Sequence, residues 1–136
     1  MLNVVIDTNI LVSALWSADG TSSKIAHLIP EKVLVPHISK EILLEYQTVL
    51  TRPKFNFTAA QVDDLICGLV KYGKNCSVPN SDIFLPDESD RIFYDVAKVY
   101  KTILITGNKK HYPSEPFVLN PREFMDFLEA IRTRGF

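Results

Sequence analysis

Four short strand-like runs alternate in this sequence with longer segments in which apolar residues recur at helical spacing, and this alternation constrains the fold more than any other feature. The runs cover Leu2–Ile6, residues 33–35, Ile103–Ile105 and residues 117–119. Each has the length of a strand and is rich in apolar and β-branched residues, as expected when both faces of a sheet are covered. We therefore predict an α/β fold with a mostly parallel central sheet flanked by helices.

Start and stop signals bound several of the helical segments. Thr58 and Gln61 have the spacing of a capping box at the start of one helix, and Gly73 is its predicted stop. Asn120 and Glu123 repeat the pattern before the last helix, with a proline at its first position. Helices are also predicted over residues 9–16, 21–29, 39–50 and 88–100.

The length and the hydropathy predict a single domain away from membranes. The 136 residues are expected to form one domain, residues 1–136. No stretch approaches the ~20 apolar residues of a membrane span. The opening apolar run breaks at Asp7 and lacks the charged leader of a signal peptide. We therefore expect a cytoplasmic protein with no membrane partner.

The charge balance leaves nucleic-acid binding open. The chain has 15 Lys and Arg against 16 Asp and Glu, a formal net charge of −1, so any RNA contact requires a local basic patch. Lys109, Lys110 and His111 form such a patch, although a solvated basic loop explains the same cluster. Arg52 and Lys54 have the same two explanations.

Polar residues follow two of the predicted strands directly. Asp7, Thr8 and Asn9 come after the first strand, and residues 106–108, with the sequence TGN, come after Ile103–Ile105. Ligands of parallel α/β sheets bind beyond the carboxyl ends of the strands. If these two strands are neighbours, Asp7 and Asn108 face one crevice.

Helical geometry, at about 100° per residue, selects further acids for this crevice. Glu45 lies at the border of the apolar face of its helix, whereas Glu41 points further into solvent. In the helix predicted over residues 88–100, Asp90 lies at the edge of the apolar face, whereas Asp95 lies on the side away from the core. Asp87 is a nearby alternative to Asp90. The acids predicted to be surface charges are Asp63, Asp64 and Asp95.

A crevice that gathers Asp7, Glu45 and Asp90 requires a cation. Carboxylates 4 Å apart repel by about 4 kcal/mol per pair at an effective dielectric constant near 20. Oxygen ligands without Cys or His favour Mg²⁺ or Mn²⁺, which can activate a water for attack on a phosphodiester. Each acid also has an ordinary explanation as a helix cap or a first-turn residue.

The two cysteines do not suit a metal site. Cys67 and Cys76 lack the CxxC spacing, and no histidines stand at zinc-finger intervals from them. We expect both to be buried free thiols.

An ordered set of motifs resembles the PIN-domain family, specifically its toxin-component group. The set is VVIDTN at 4–9, an acid within the helix at 41–50, PDESDR at 86–91, ITGN at 105–108 and NPREF at 120–124. Each motif alone is weak, but their order covers nearly the whole chain. The resemblance implies a three-layer α/β/α fold around a mostly parallel sheet.

The resemblance also implies an activity and its residues. It implies an endoribonuclease that depends on Mg²⁺ or Mn²⁺ and hydrolyses RNA with a metal-activated water, often the toxin of a toxin–antitoxin pair and often a homodimer. Asp7, Glu45 and Asp90 match three family acids, which makes them the expected catalytic residues and metal ligands. Asn108 stands where the fourth acid is common, so the site keeps a carbonyl ligand but loses a charge. The expected substrate contacts are Asn9, Thr106, Lys109 and Lys110.

Two other functions stay open at this point. The loss of charge at Asn108 is compatible with a catalytically impaired scaffold that binds RNA or a protein partner without cutting. A phosphotransfer enzyme with Asp7 as its nucleophile is a further alternative. It suits the sequence poorly, because Asn9 occupies the second acidic place of the DxD motif and Glu45 would have no role.

Overall fold

Five parallel strands form the centre of the computed structural model, which describes residues 1–135. The strands are β1 (Leu2–Ile6), β2 (Leu34–Ile38), β3 (Lys74–Asn75), β4 (Ile103–Ile105) and β5 (Val118–Leu119). Their order in the sheet is β3-β2-β1-β4-β5, and every neighbouring pair is parallel. The predicted parallel sheet is confirmed. The sequence did not predict β3, because two exposed polar residues carry no periodic signal.

In the described part of the chain, residues 1–135, six α-helices surround this sheet and complete the predicted three-layer α/β/α fold. They are α1 (Thr8–Trp16), α2 (Thr21–His27), α3 (Lys40–Leu50), α4 (Ala59–Tyr72), α5 (Arg91–Tyr100) and α6 (Pro121–Thr133). Helix α4 packs on β2, α5 on β1 and β4, and α6 on β5. Within residues 1–135, no helix has the length and apolar character needed to cross a membrane.

The capping patterns form as predicted. Thr58 Oγ1 accepts from Gln61 N at 3.1 Å, and Gln61 Oε1 accepts from Thr58 N at 2.8 Å. Asn120 and Glu123 make the same reciprocal pair at the start of α6. Helix α4 ends at Gly73, where a Cβ atom would lie only 2.7 Å from the carbonyl oxygen of Pro36. The glycine therefore allows the end of α4 to approach β2 closely.

The bounds of two predicted helices are different in the structure. Helix α2 ends at His27 because the carbonyl of Leu28 turns to accept from Val33 N at 3.0 Å, which leads the chain into β2. The helix predicted over 88–100 begins instead with a 3₁₀ turn, Glu88–Asp90, and becomes α-helical at Arg91. Asp90 therefore lies where the two kinds of helix join.

Two side chains have the opposite burial to the one predicted. Asp95 is only 3% exposed, because the segment before α5 folds over that face of the helix and Ser81 donates to both carboxylate oxygens at 2.9 and 2.6 Å. The prediction that Asp95 is a surface charge was wrong. Cys67 is exposed on α4, whereas Cys76 is buried as expected. Asp63 and Asp64 are exposed, as predicted.

Candidate active site

The crevice predicted from the sequence lies where the sheet reverses its strand order. β1 and β4 are neighbours, and their register pairs Ile6 with Ile105. The chain continues from β1 toward one edge of the sheet and from β4 toward the other. Such a switch point opens a crevice beyond the carboxyl ends of the strands, where α/β sheets bind ligands. Asp7 and Thr106, the next residue on each strand, enter this crevice together.

Asp7 is held by donors from the far end of the sequence. Its side chain is buried, and its Oδ2 atom accepts from Thr106 Oγ1 and from Tyr112 OH, both at 2.8 Å. Within residues 1–135, its Oδ1 atom accepts only from Asn9 N, at 3.4 Å, which is long for a hydrogen bond. Asp7 therefore caps α1 weakly with one oxygen and is anchored firmly by the other.

Asp90 lies close enough to Asp7 for the two charges to interact. Its Oδ2 atom is buried and makes no hydrogen bond within residues 1–135, although His111 Nδ1 lies 3.4 Å away. Burial, then the negative charges of Asp7 and Asp87, raise the pKa of Asp90 to about 6, and His111 offsets part of this effect. The ionised pair therefore has a negative charge that its protein neighbours, His111 included, offset only in part.

The other candidate acids do not join this pair in one ligand cluster. Across residues 1–135, no three side chains of Asp, Glu, His or Cys are grouped closely enough to hold a metal ion. The predicted three-acid cluster is therefore not assembled. Glu45 is half-buried on α3, which Tyr46 anchors to the end of β1 through its bond to the Ile6 carbonyl, and its role stays a prediction.

The carboxylate of Asp87, the alternative candidate to Asp90, makes its hydrogen bonds to Ser89. It is exposed, and its Oδ1 atom accepts from Ser89 N at 2.9 Å and from Ser89 Oγ at 2.8 Å. These hydrogen bonds hold the pKa of Asp87 below its usual value. Asp87 therefore caps the 3₁₀ turn that precedes Asp90.

The carboxylate oxygens of Asp7 and Asp90 are suitable ligands for a hard divalent cation. Asp7 Oδ1 and Asp90 Oδ2 are oxygens with little or no hydrogen bonding of their own. Mg²⁺ in proteins is commonly held by one or two carboxylates and keeps several of its waters. Two carboxylates are therefore sufficient for a partly hydrated ion, and a third protein acid is not required.

The predicted substrate contacts after β4 have different environments. Thr106 is 0% exposed, and its hydroxyl donates to Asp7 and accepts from Asn108 N at 3.0 Å. This burial contradicts a direct contact between Thr106 and substrate. Asn9 Oδ1 accepts from Gly107 N at 3.0 Å, which ties the loop after β4 to the start of α1. Asn108, the next residue after Gly107, is exposed to solvent.

A short 3₁₀ turn, Lys109–His111, forms a basic rim beside the acids, and we name it the basic turn. Lys109 Nζ is paired with both oxygens of Glu123 at 2.9 and 3.2 Å, whereas Lys110 has no ion-pair partner within residues 1–135. A groove of about 400 Å³ lies against the turn. Its lining residues are Gly107, Asn108, Lys109, Lys110, His111 and Asn120.

Sequence reasoning missed two residues that organise the site. Tyr112 follows the basic turn, outside any periodic pattern, so nothing in the sequence indicated that its hydroxyl reaches Asp7. Arg91 is buried and binds the segment before α5. It lies within the PDESDR motif, but a charged residue at the start of a helix usually predicts exposure.

The fold and the acid pair define a class of protein, an α/β domain with an acidic crevice at the switch point of a parallel sheet. The family model for the PIN domain matches residues 3–110. The chain is also 33% identical over 111 residues to the uncharacterized protein MJ1680 of Methanocaldococcus jannaschii, a match that covers 79% of this chain and 72% of that protein. The chain belongs to the PIN-domain family. PIN domains are generally nucleases, so its fold is of nuclease type.

Proposed function

We propose that this protein is a metal-dependent endoribonuclease that uses Mg²⁺ or Mn²⁺ held by Asp7 and Asp90. The observation that carries the proposal is the buried Oδ2 atom of Asp90, which makes no hydrogen bond within residues 1–135 and lies near enough to the buried Asp7 for the two charges to interact. A bound divalent cation would neutralise this pair, offset charge that develops on a phosphodiester and lower the pKa of a water. The membership of the chain in a family of nucleases supports the same reaction.

Glu45 and Asn108 are the proposed additions to the acid pair. Glu45, half-buried on α3, stays a proposed third carboxylate, although within residues 1–135 it is not grouped with Asp7 and Asp90 closely enough to hold a metal ion. Asn108 offers a carbonyl oxygen where the family resemblance implies an acid. Because an amide has no charge, we expect weaker binding of the metal than in a site with a fourth carboxylate.

The proposed RNA contacts lie along the basic rim. Lys110 is exposed beside the groove, and the amide of Asn9 lies at the start of α1, next to Asp7. Lys109 is a weaker candidate, because Glu123 already binds its ammonium group. A lysine with no protein partner can neutralise a phosphate without first losing an ion pair.

We further propose that the protein acts in the cytoplasm as the toxin of a toxin–antitoxin pair, with an antitoxin and a second copy of this chain as its protein partners. The ordered motif set supports this role. A neighbouring small gene for a DNA-binding protein, copurification of its product, and a dimer mass by light scattering would each agree with the proposal. A monomer that binds no neighbouring gene product would contradict it.

Cleavage of a labelled single-stranded RNA in the presence of Mn²⁺ tests the proposed chemistry. We expect cleavage by the native protein and its loss with Asp7→Asn or with EDTA. Asp63→Asn is the matched control, because it removes an exposed acid on α4, and it should cleave normally. Cleavage that survives both Asp7→Asn and EDTA would be due to a contaminant and would count against the proposal.

One observation favours a second function, a scaffold that binds RNA or a protein without cutting. Asn108 leaves the loop after β4 without its expected charge. In the same assay, tight RNA binding with no cleavage at any Mn²⁺ concentration would favour this scaffold over the nuclease.

A further inference from the structure

Tyr112 is a buried side chain in direct contact with a candidate metal ligand. It follows the basic turn and is only 6% exposed. Its hydroxyl donates to Asp7 Oδ2 at 2.8 Å. The same oxygen accepts from Thr106 Oγ1 at 2.8 Å, so two side chains from a seven-residue stretch of chain bind one carboxylate oxygen.

These two bonds determine what the carboxylate of Asp7 can do. A carboxylate oxygen with two short donors has its lone pairs occupied, and the group can no longer rotate freely about its χ2 bond. Among residues 1–135, Oδ1 is left with one long contact, to Asn9 N at 3.4 Å.

We propose that Tyr112 is a positioning residue for metal binding: together with Thr106 it holds Asp7 by Oδ2, so that Oδ1 is presented to the cation. This inference rests on the proposed function, because it assigns a role in the same site. Groups that hydrogen-bond to metal ligands fix the orientation of those ligands, and their loss commonly costs about 10- to 100-fold in metal affinity. The sequence offers no hint of this role, since Tyr112 lies 105 residues from Asp7.

Tyr46 provides a matched comparison within the same molecule. It is also a buried tyrosine, and it lies near enough to Asp7 to feel its charge. Its hydroxyl, however, donates to the backbone carbonyl of Ile6 and not to a carboxylate. Replacing either tyrosine with phenylalanine removes one buried hydrogen bond, but only the Tyr112 bond holds a candidate ligand.

The test compares Tyr112→Phe with Tyr46→Phe by calorimetric titration with Mn²⁺ alone. We expect Tyr112→Phe to weaken Mn²⁺ binding by about 10-fold or more. Tyr46→Phe should weaken it clearly less, because its bond holds the Ile6 carbonyl and the helix that carries Glu45 but no oxygen of Asp7. The melting temperature without metal should fall for both variants. A loss of stability shared by both variants can then be separated from a loss of Mn²⁺ affinity that is larger in Tyr112→Phe. If Tyr112→Phe does not fold, Thr106→Val removes the other donor to Oδ2 and applies the same test.

Cleavage kinetics give a second measurement that a purely structural role would not affect. If Tyr112 only positions Asp7, raising the Mn²⁺ concentration should restore the kcat of Tyr112→Phe while the KM for RNA stays unchanged. Asp7→Asn should not recover at any Mn²⁺ concentration, because it lacks the ligand itself.

The outcomes separate this inference from the proposed function. Native Mn²⁺ affinity in Tyr112→Phe, together with lost affinity in Asp7→Asn, would overturn the role of Tyr112 and leave the metal site intact. Failure of the native protein to bind Mn²⁺ would overturn the metal site and the role of Tyr112 with it.

Discussion

The folded protein holds Asp90 in surroundings that disfavour its negative charge. Its carboxylate is buried beside Asp7, and its pKa rises from 3.8 to about 6. Between these two values the folded chain binds more protons at Asp90 than the unfolded chain does. The free energy of unfolding contributed by this group therefore falls as the pH rises through that window, and the full penalty remains at neutral pH.

Asp90→Asn should therefore stabilise the metal-free protein at neutral pH. We expect a gain of roughly 1 to 3 kcal/mol in the free energy of unfolding at pH 7.5 in EDTA, with the difference vanishing below the unfolded pKa of the acid. Urea denaturation of both proteins across this pH range measures it. Asp63→Asn, which changes an exposed acid, should show no such pH-dependent gain. A less stable Asp90→Asn at pH 7.5 would contradict the electrostatic explanation.

Asn108→Asp should strengthen the proposed metal site. A unit charge about 6 Å from a divalent ion in surroundings as polar as water contributes roughly 1.4 kcal/mol, or about tenfold in affinity. Mn²⁺ titration of the variant measures the gain, and RNA cleavage at limiting Mn²⁺ should rise with it. Affinity that does not change would mean that residue 108 does not approach the cation.

At the scale of elements, one helix holds the long segment before it through two buried charges. Arg91 donates to the carbonyls of Ser81 and Ile83 at 2.8 and 2.6 Å and is paired with Glu88. Asp95, one turn further along α5, binds the same serine. Because Asp90 directly precedes Arg91, these bonds also hold the start of α5 beside the crevice.

Arg91→Gln should loosen this segment. We expect a loss of about 2 to 3 kcal/mol in the free energy of unfolding, because carbonyls that were paired lose a charged donor. Chymotrypsin should also cut faster at Phe84, an exposed residue in the released segment. Arg122→Gln is the matched control: its pair with Asp126 is 4.0 Å long and exposed, so it should change stability by less than about 0.5 kcal/mol. Equal effects of the two substitutions would contradict the anchoring role.

At the scale of the whole molecule, the net charge of −1 provides no general attraction for RNA. RNA binding should therefore depend on a few local contacts and show a shallow salt dependence. We expect Lys110→Ala to weaken binding and to reduce the slope of log affinity against log salt by about 0.7, the value for one phosphate contact on a single strand. Lys109→Ala should have less effect, because Glu123 binds its ammonium group.

Fluorescence anisotropy with an uncleavable RNA at several salt concentrations measures both effects. Lys24→Ala, an exposed lysine on α2, is the control. Unchanged affinity after both Lys109 and Lys110 are replaced by alanine would remove the basic turn from the RNA site.

Several features of the fold could be predicted because they depend on neighbours in the sequence. Thr58 and Gln61 are three residues apart, so their reciprocal bonds are visible in the sequence. The strand-like runs predicted that Asp7 and the loop after Ile103–Ile105 meet if their strands are neighbours, and the pairing of β1 with β4 in the structure meets that condition. The two-residue β3 was missed because its pairing with β2 depends on the position of α4 and not on its own residues.

The sequence by itself determined the α/β class, the helix caps and the first candidate acids, because strand runs, capping pairs and helical faces are local properties. Only the tertiary structure decided which side chains those acids meet. Tyr112 lies far from Asp7 in the sequence but donates a hydrogen bond to it. Asp95 lies on the face of α5 that the apolar pattern predicts to be exposed, but the segment that contains Ser81 covers that face. A periodic pattern reports the face that one helix turns to the core, but it contains no information about what covers the opposite face.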